Sequence, residues 1–250
     1  MRGVGDSLGR TIKTDRVIGL SEGEEPRAIR GAIAACRQGT ARIILIGPQR
    51  EIEAGLIREG GEDLAGISIH DPDHSPHHDT FAESYTALRA HRGMTLDVAE
   101  RMVRTPLFYA AMLVRHGMAD GCLGGAVATT AETIRAALHV IGKSPEAEMV
   151  SSFFLMLMDS EWQALRGPVV FADCALIEEP TAGQLSEIAQ ASARSFATLT
   201  GQEPRVAMLS FSTHGSAHHR AVDKVAEATR LARDAAPDLI LDGEIQFDAA

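Results

Sequence analysis

Short apolar runs alternate with amphipathic helical patterns along most of the chain, and this alternation narrows the available folds more than any other feature. VIGLS at 17–21, RIILIG at 42–47 and VAMLSF at 206–211 have the length and composition of buried strands. Helical patterns, with apolar residues every three or four positions, lie between such runs. Strands separated by helices favour mostly parallel sheets with helices on both faces. We therefore predict an α/β protein with doubly wound sheets.

A polar segment near the middle of the chain divides this pattern. GKSPEAE at 142–148 contains a glycine and a proline, and it precedes the long apolar run MVSSFFLMLM. A chain of 250 residues is long enough for two ordinary α/β domains. We predict a first α/β domain over 1–146 and a second over 147–250.

Charge and cysteine content exclude several classes of protein. Asp and Glu number 34 against 24 Lys and Arg, whereas nucleic-acid binders usually carry a basic excess. No apolar run reaches the length of a membrane span, and MRGVGDSLGR lacks the apolar core of a signal peptide. The cysteines Cys36, Cys122 and Cys174 are odd in number and far apart, which favours a reducing compartment. We expect a cytoplasmic protein with neither a nucleic-acid nor a membrane partner.

Two loops have the composition of an anion-binding site. Ser212-Thr213-His214-Gly215-Ser216 separates a strand from a helix, and the first N–H groups of a helix attract anions. Gly124-Gly125 likewise follows a strand, and paired glycines allow close approach to a ligand. A simpler reading is available for each loop. Ser212 or Ser216 would only cap the helix, and Thr129 with Glu132 would form a capping box.

Other polar residues are weighed against similar alternatives. Arg27, Arg89 and Arg135 are natural bidentate partners for phosphate, although each alone is more typical of a solvated surface. The histidine-rich stretch HDPDHSPHHD at 70–79 is interpreted as a solvated loop, because its two prolines break regular ligand spacing. Cys36 and Cys122 are interpreted as packing residues, and Cys174 is left open. We expect no metal site.

Seven sequence blocks closely resemble the family of phosphate acetyltransferases (phosphotransacetylases) and butyryltransferases. They follow the family's order across nearly the whole chain: EGEEPRAIRGA (22–32), LRAHRGMTLDVAERM (88–102), DGCLGGAVATTAETIRAAL (120–138), SFFLM (152–156), VVFAD (169–173), VAMLSFSTHGSA (206–217) and APDLILDGEIQFDAA (236–250). Only their combination is specific. The resemblance implies two α/β domains around a cleft, like those of isocitrate and isopropylmalate dehydrogenases, and usually a homodimer.

The resemblance also implies a reaction and its ligands. The reaction is acetyl-CoA plus phosphate giving acetyl phosphate plus CoA, reversibly, with CoA as a substrate and no cofactor. The implied substrate-binding residues are Arg27, Arg89, Gly124, Gly125, Thr129, Thr130, Arg135, Ser210, Ser212, Thr213, Gly215 and Ser216.

One departure from the family pattern affects the catalytic residues. Family members continue past DGEIQFDAA, and their later region carries a Ser-Arg pair and an aspartate with catalytic roles. Those positions lie beyond Ala250, so no residue of this sequence is assigned as catalytic. One hypothesis is that the chain is truncated relative to the family and inactive alone.

Three functions stay open at this point. The first is acyl transfer between CoA and phosphate, with acetyl as the acyl group and butyryl as its near neighbour. The second is a non-catalytic module that senses acetyl-CoA, like the phosphotransacetylase-like domains fused to some malic enzymes. A dehydrogenase of the same fold ranks last, because the sequence lacks an evident aspartate cluster for a metal and a nicotinamide loop.

Overall fold

A computed structural model describes residues 15–145, 147–158 and 166–250. The chain divides into two compact units between Ser144 and Pro145. Within the described ranges, every helix is too short or too polar to cross a lipid bilayer.

The unit that ends at Ser144 is a parallel sheet covered by helices on both faces. Its elements are β1 (Val17–Leu20), α1 (Pro26–Gln38), β2 (Arg42–Ile46), α2 (Gln49–Glu59), β3 (Ile67–His70), α3 (His78–Arg89), a 3₁₀ turn (Ala90–Arg92), α4 (Leu96–Val103), α5 (Pro106–Arg115), β4 (Gly121–Leu123) and α6 (Thr130–Val140). The strand order is β3-β2-β1-β4, and every pairing is parallel. The predicted α/β class is confirmed.

The pleat of β2 explains why helices lie on both faces. Ile43 and Leu45 pack into one cluster with residues of α1 and α2. Ile44 and Ile46 point the other way, into a cluster with residues of α3, α4, α5 and α6. All four side chains are at most 5% exposed. A strand buried on both faces reads as a continuous apolar run, which is what RIILI shows.

The strand order brings two loops together at the carboxyl edge of this sheet. β1 pairs with β2 on one side and with β4 on the other. The loops that follow β1 and β4 therefore run side by side, and the Ser21 N–H donates to the Leu123 carbonyl at 3.0 Å. In open α/β sheets ligands bind where the strand order reverses. Sheet topology thus marks the loops at 21–25 and 124–129 as the place for a ligand.

The buried face of α6 differs from the one that helical spacing predicts. Spacing favours Ile134, Ala137, Leu138 and Ile141 as core residues, but Leu138 is 39% and Ile141 45% exposed. Ala136 and Val140 are buried instead. The small side chain of Ala136 lets α6 pack closely on its neighbours. Because apolar residues lie on more than one face of this helix, their period alone does not select the buried one.

The histidine-rich stretch is partly packed. His70 Nδ1 lies 3.2 Å from the Tyr109 hydroxyl, and the rings of His77 and Phe81 stack at 5.7 Å. Burial, and then the charge of His77, lower the pKa of His70 from its ordinary value. The solvated-loop prediction is wrong for these two half-buried histidines, because Tyr109 packs against His70 and Phe81 stacks on His77. Among the described residues, no group of three or more His, Cys, Asp or Glu is placed to hold a metal ion.

The unit that begins at Pro145 contains two strand pairs and two long helices. Its elements are β5 (Phe153–Met158), β6 (Gly167–Ala172), α7 (Ala182–Thr200), β7 (Arg205–Leu209), α8 (Arg220–Ala235), β8 (Ile240–Ile245) and a 3₁₀ turn (Phe247–Ala249). β5 and β6 pair antiparallel, whereas β7 and β8 are parallel and joined through α8. The core lies between α7, α8 and the β7–β8 pair, around Ala189, Met208 and Ala228.

Candidate active site

Two predicted arginines approach one histidine in the first unit. Arg89 ends α3 and Arg135 lies on α6. Burial is the largest cause lowering the pKa of His139, and the positive charges of Arg89 and Arg135 lower it further. Tyr85 completes the group, because its hydroxyl lies 3.2 Å from His139 Nδ1. The structure thus gathers cationic side chains that the sequence places about fifty residues apart.

The arginines of this group have unused hydrogen-bonding capacity. Within the described part of the chain, neither the Arg89 nor the Arg135 side chain forms a hydrogen bond or an ion pair, and Arg89 Nε is buried without a partner. A buried donor without a partner costs about 1–3 kcal/mol. An anionic ligand would satisfy it. This is the strongest local sign that the group binds a ligand.

Sequence reasoning missed Tyr85 and His139 as members of this group. Tyr85 precedes Arg89 by one helical turn on α3, and His139 follows Arg135 by one turn on α6. The spacing of four residues from each predicted arginine is the signal that would have found both.

The loop after β4 already holds an anion, and that anion is a side chain of the protein. The Glu22 carboxylate accepts hydrogen bonds from the N–H groups of Ala126, Val127 and Ala128 at 2.9, 2.8 and 2.7 Å. Burial would raise the pKa of Glu22, but these donors outweigh it and hold the pKa below its usual value. These three amides are therefore occupied by an internal carboxylate.

Arg27 connects the same two loops. Its Nε donates to the Glu25 carboxylate at 2.7 Å, and its Nη2 donates to the Ala126 carbonyl at 2.7 Å. Glu25 also caps α1 by accepting from the N–H groups of Arg27 and Ala28. The structure thus gives Arg27 partners within the protein, whereas the side chains of Arg89 and Arg135 have none among the described residues.

Close packing at Gly124 and backbone conformation at Gly125 explain why these two positions are glycine. A Cβ atom on Gly124 would lie 2.6 Å from Leu107 Cδ2 and 2.7 Å from Ser21 Oγ. Gly125 adopts φ of +98°, a conformation that other residues rarely adopt. Thr129 caps α6 in the predicted capping box, because its hydroxyl accepts from the Glu132 N–H and the Glu132 carboxylate accepts from the Thr129 N–H. Thr130, at the start of α6, is exposed.

The loop after β7 is also organised by a carboxylate. Glu244 on β8 is buried, and it accepts from the Gly215 N–H at 2.6 Å and from the Ser212 hydroxyl at 3.1 Å. The Gly215 N–H has the largest effect on the pKa of Glu244 and lowers it, against the opposing effect of burial. Ser216 Oγ accepts from the Thr213 N–H at 3.0 Å. Ser210 Oγ accepts from the Ser212 N–H at 3.2 Å, so the hydroxyls of this loop chiefly hold its own backbone.

Neither serine of this loop caps a helix. α8 begins at Arg220, and His219 is its N-cap, with a side chain that accepts from the Ala221 N–H at 3.1 Å. The predicted cap at Ser212 or Ser216 is wrong because the imidazole of His219 takes that role. The first turn of α8 consequently lies beyond the Ser212–Ser216 loop.

A third carboxylate, that of Asp173, holds the loop after β6 by accepting hydrogen bonds. Asp173 accepts from the Ser152 N–H and hydroxyl at 2.8 and 2.7 Å, and from the N–H groups of Ala175 and Leu176 at 2.8 Å each. Burial opposes ionisation, but these bonds together lower the pKa of Asp173 to about 2. The loops after β4, β6 and β7 therefore each surround a carboxylate of the protein.

Cys122 is expected to be dispensable for activity. It lies in β4 opposite Gly19, and burial raises the pKa of its thiol, which disfavours the reactive thiolate. Cys122→Ala should leave kcat and KM within about twofold of wild type and cost roughly 1 kcal/mol of stability. Steady-state kinetics with a thermal melt test this. Loss of turnover in a folded variant would instead indicate a covalent mechanism.

Comparison with known proteins identifies the family. A family model described as "Phosphate acetyl/butaryl transferase" matches residues 8–250. The chain belongs to this family. The phosphate acetyltransferase of Paracoccus denitrificans is 47% identical over 237 residues, which make up 94% of this chain and 70% of that protein. The resemblance predicted from the seven blocks is confirmed.

Solved structures of phosphotransacetylases are also similar to this chain. One from Streptococcus pyogenes matches with a TM-score of 0.86 and 35% identity, over 98% of this chain and 73% of the other. One from Staphylococcus aureus matches with a TM-score of 0.83 and 32% identity, over 98% and 74% of the two chains.

Proposed function

We propose that this chain is a phosphate acetyltransferase, which moves an acetyl group reversibly between CoA and inorganic phosphate. Its relatives with that name are 39–47% identical over more than nine-tenths of the chain. The observation within the molecule that supports this most is that the Arg89 and Arg135 side chains form no hydrogen bond or ion pair with any residue that the structure describes. Both the acyl donor, acetyl phosphate, and CoA carry phosphate groups, for which guanidinium is the natural bidentate partner.

The chemistry proposed is direct transfer between two bound substrates. A thiol with a pKa near 8.5 is mostly protonated at neutral pH, so a base removes its proton. The thiolate attacks the acetyl carbonyl, a C–S bond forms, and the C–O bond breaks as phosphate leaves with the electron pair. Holding both substrates in register supplies about 7–11 kcal/mol of the barrier reduction. The route needs no enzyme nucleophile, metal or cofactor, and we assign no residue of this sequence as the base.

The arginine group is proposed to bind substrate phosphate. Arg89 and Arg135 stabilise the negative charge, and the buried Arg89 Nε gains the partner it lacks. Thr130, which is exposed at the start of α6, is proposed as a further contact. In the second unit, Thr213 and Gly215 are the proposed contacts, in a loop shaped by Glu244.

Two alternative functions stay open, a phosphate butyryltransferase and a non-catalytic module that senses acetyl-CoA. A phosphate butyryltransferase would use the same groups with a larger acyl pocket, and the relatives named phosphate acetyltransferase favour acetyl. An acetyl-CoA-sensing module would bind the thioester without turnover. Comparing acetyl-CoA with butyryl-CoA as substrates separates the first alternative. Binding without turnover identifies the second.

The cellular setting is part of the same proposal. We infer a cytoplasmic enzyme, supported by three free cysteines, and a homodimer, supported by the family resemblance. Sedimentation equilibrium tests the dimer. Unchanged activity after chelation with EDTA tests the absence of a required metal.

The deciding experiment follows thioester formation from acetyl phosphate and CoA by absorbance. It is run on the 250 residues printed above and on the same residues followed by the remaining part of the Paracoccus relative, of which the chain covers 70%. CoA-dependent thioester formation in either form supports the proposal. Acetyl-CoA binding without turnover in both forms would contradict it and favour the sensor.

A further inference from the structure

Glu22 lies where sheet topology predicts the anion of a ligand. It lies two residues after the end of β1, and its partners follow β4, the neighbouring strand, 104 to 106 residues later. The side chain reaches across the point at which the strand order reverses. At this point of an open α/β sheet a ligand phosphate is usually expected, held by loop amides. Here a carboxylate of the protein holds the amides instead.

The two carboxylate oxygens divide the donors unequally. Glu22 Oε1 accepts from the N–H groups of Val127 and Ala128, and Oε2 accepts from the N–H of Ala126. The carbonyl of Ala126 is fixed from the other side by Arg27. The N–H and the carbonyl of Ala126 are therefore held by two side chains, Glu22 from the loop after β1 and Arg27 from the first turn of α1. The conformation of 125–128 depends on those side chains.

This segment leads directly to the substrate-binding residues. Ala128 precedes Thr129, the N-cap of α6, and α6 carries Arg135. A shift of 125–128 would therefore move the first turn of α6. Loop amides left without the carboxylate would also be free to capture a phosphate in an unproductive position.

We propose that Glu22 is a positioning residue for acetyl transfer: it occupies the amides of 126–128 as an internal anion and thereby fixes the start of α6, which presents Arg135 to the substrate. The inference rests on the proposed function. It assigns no contact between Glu22 and the reacting atoms. Glu22 acts on Arg135 through the loop at 125–128 and the start of α6. Its loss should therefore weaken substrate binding more than it slows the transfer step.

Two substitutions of Glu22 and one control substitution distinguish the positioning role of Glu22 from a role in stabilising the fold alone. Glu22→Ala removes all three acceptor contacts. Glu22→Gln keeps an oxygen for Val127 and Ala128 but turns an amide NH₂ toward the Ala126 N–H. Glu62→Gln is the matched control, because Glu62 is an exposed carboxylate between α2 and β3, outside both loops.

Kinetics of the folded variants are the first readout. We expect kcat/KM to fall roughly 100-fold in Glu22→Ala, chiefly through KM, and about tenfold in Glu22→Gln, with Glu62→Gln unchanged. Formate, a small carboxylate able to enter the vacated position, should restore part of the loss in Glu22→Ala. A residue that only stabilised the fold would lower the folded fraction and leave the KM of the remaining molecules unchanged.

Amide hydrogen exchange is the second readout and is independent of activity. The amides of 126–128 should be protected in wild type, lose protection in Glu22→Ala and regain it with formate. Inactive wild-type protein would count against the proposed function alone, since the exchange measurement would still test the loop. The inference is overturned if Glu22→Ala matches the Glu62→Gln kinetics, or if protection of 126–128 survives the loss of the carboxylate.

Discussion

Replacing Arg135 by alanine is expected to lower kcat/KM about 10- to 100-fold without changing the fold. A hydrogen bond to a charged group contributes about 1.5–3 kcal/mol, which corresponds to this range. Arg135 is exposed and has no hydrogen-bond or ion-pair partner within the described residues, so its removal leaves no protein group unsatisfied. Steady-state kinetics with acetyl phosphate and CoA, together with a thermal melt, measure both effects.

Two further variants sharpen this test. Arg135→Lys keeps the charge but loses the planar fork, so it should recover only part of the activity. Arg101→Ala is the control in the same unit, because Arg101 forms a surface ion pair with Asp97 at 2.6 Å and should matter little. Wild-type kinetics in Arg135→Ala would remove this arginine from the substrate site. An equal loss in Arg101→Ala would point to a general effect on charge instead.

Replacing Asp173 by alanine is expected to destabilise the second unit by about 2–4 kcal/mol. The change removes an acceptor from the Ser152 N–H and hydroxyl and from the N–H groups of Ala175 and Leu176. Of these donors, the Ala175 N–H keeps a second acceptor in the Ser152 hydroxyl at 3.0 Å. Urea unfolding at neutral pH, followed by circular dichroism, measures the loss. Asp234→Asn, which alters an exposed carboxylate on α8, is the surface control. Equal midpoints for Asp173→Ala and wild type would contradict the expectation.

The same carboxylate should make stability depend on pH. Its pKa is about 2 in the folded protein, below the ordinary value of 3.8, so the folded state favours the charged form. Its contribution is therefore complete above about pH 4 and disappears as the pH falls toward about 2. Allowing for solvent screening, we expect a loss of about 1–2 kcal/mol over that window.

Asp173→Asn isolates this dependence. The amide keeps an oxygen for Ala175 and Leu176 but places an NH₂ group where the Ser152 N–H donates. We expect it to be less stable than wild type at neutral pH and to lack the part of the acid response that Asp173 supplies. An unchanged acid response in the Asn variant would show that other carboxyls cause it.

Local patterns predicted the elements of this fold well. RIILI is predicted to be a strand because it is an apolar run of the length that a strand buried on both faces has. The capping box of Thr129 and Glu132 predicts the start of α6. The predicted N-cap of α8 is wrong because serine is the commoner capping residue, whereas the side chain of His219 caps the helix here. Such cases depend on which of several suitable side chains adopts the capping geometry.

The contacts that organise the candidate site were beyond sequence reasoning. Glu22 and Ala126 are 104 residues apart, and only the pairing of β1 with β4 brings them together. Composition predicts that both loops bind an anion, but it does not say whether that anion is a ligand or a carboxylate of the chain. Arg89 and Arg135 were proposed separately, and their common neighbour His139 emerges only from the packing of α3 near α6.

The hydrogen bonds from the amides of 126–128 to the Glu22 carboxylate matter when this chain is recombined with its relatives. A crossover placed between those positions would combine a carboxylate from one parent with backbone from the other, and a small mismatch in loop length would separate them. A crossover between Ser144 and Pro145 keeps this contact whole, and it also keeps Glu244 with the loop at 212–216. Chimaeras joined at that boundary should therefore retain the shape of both loops.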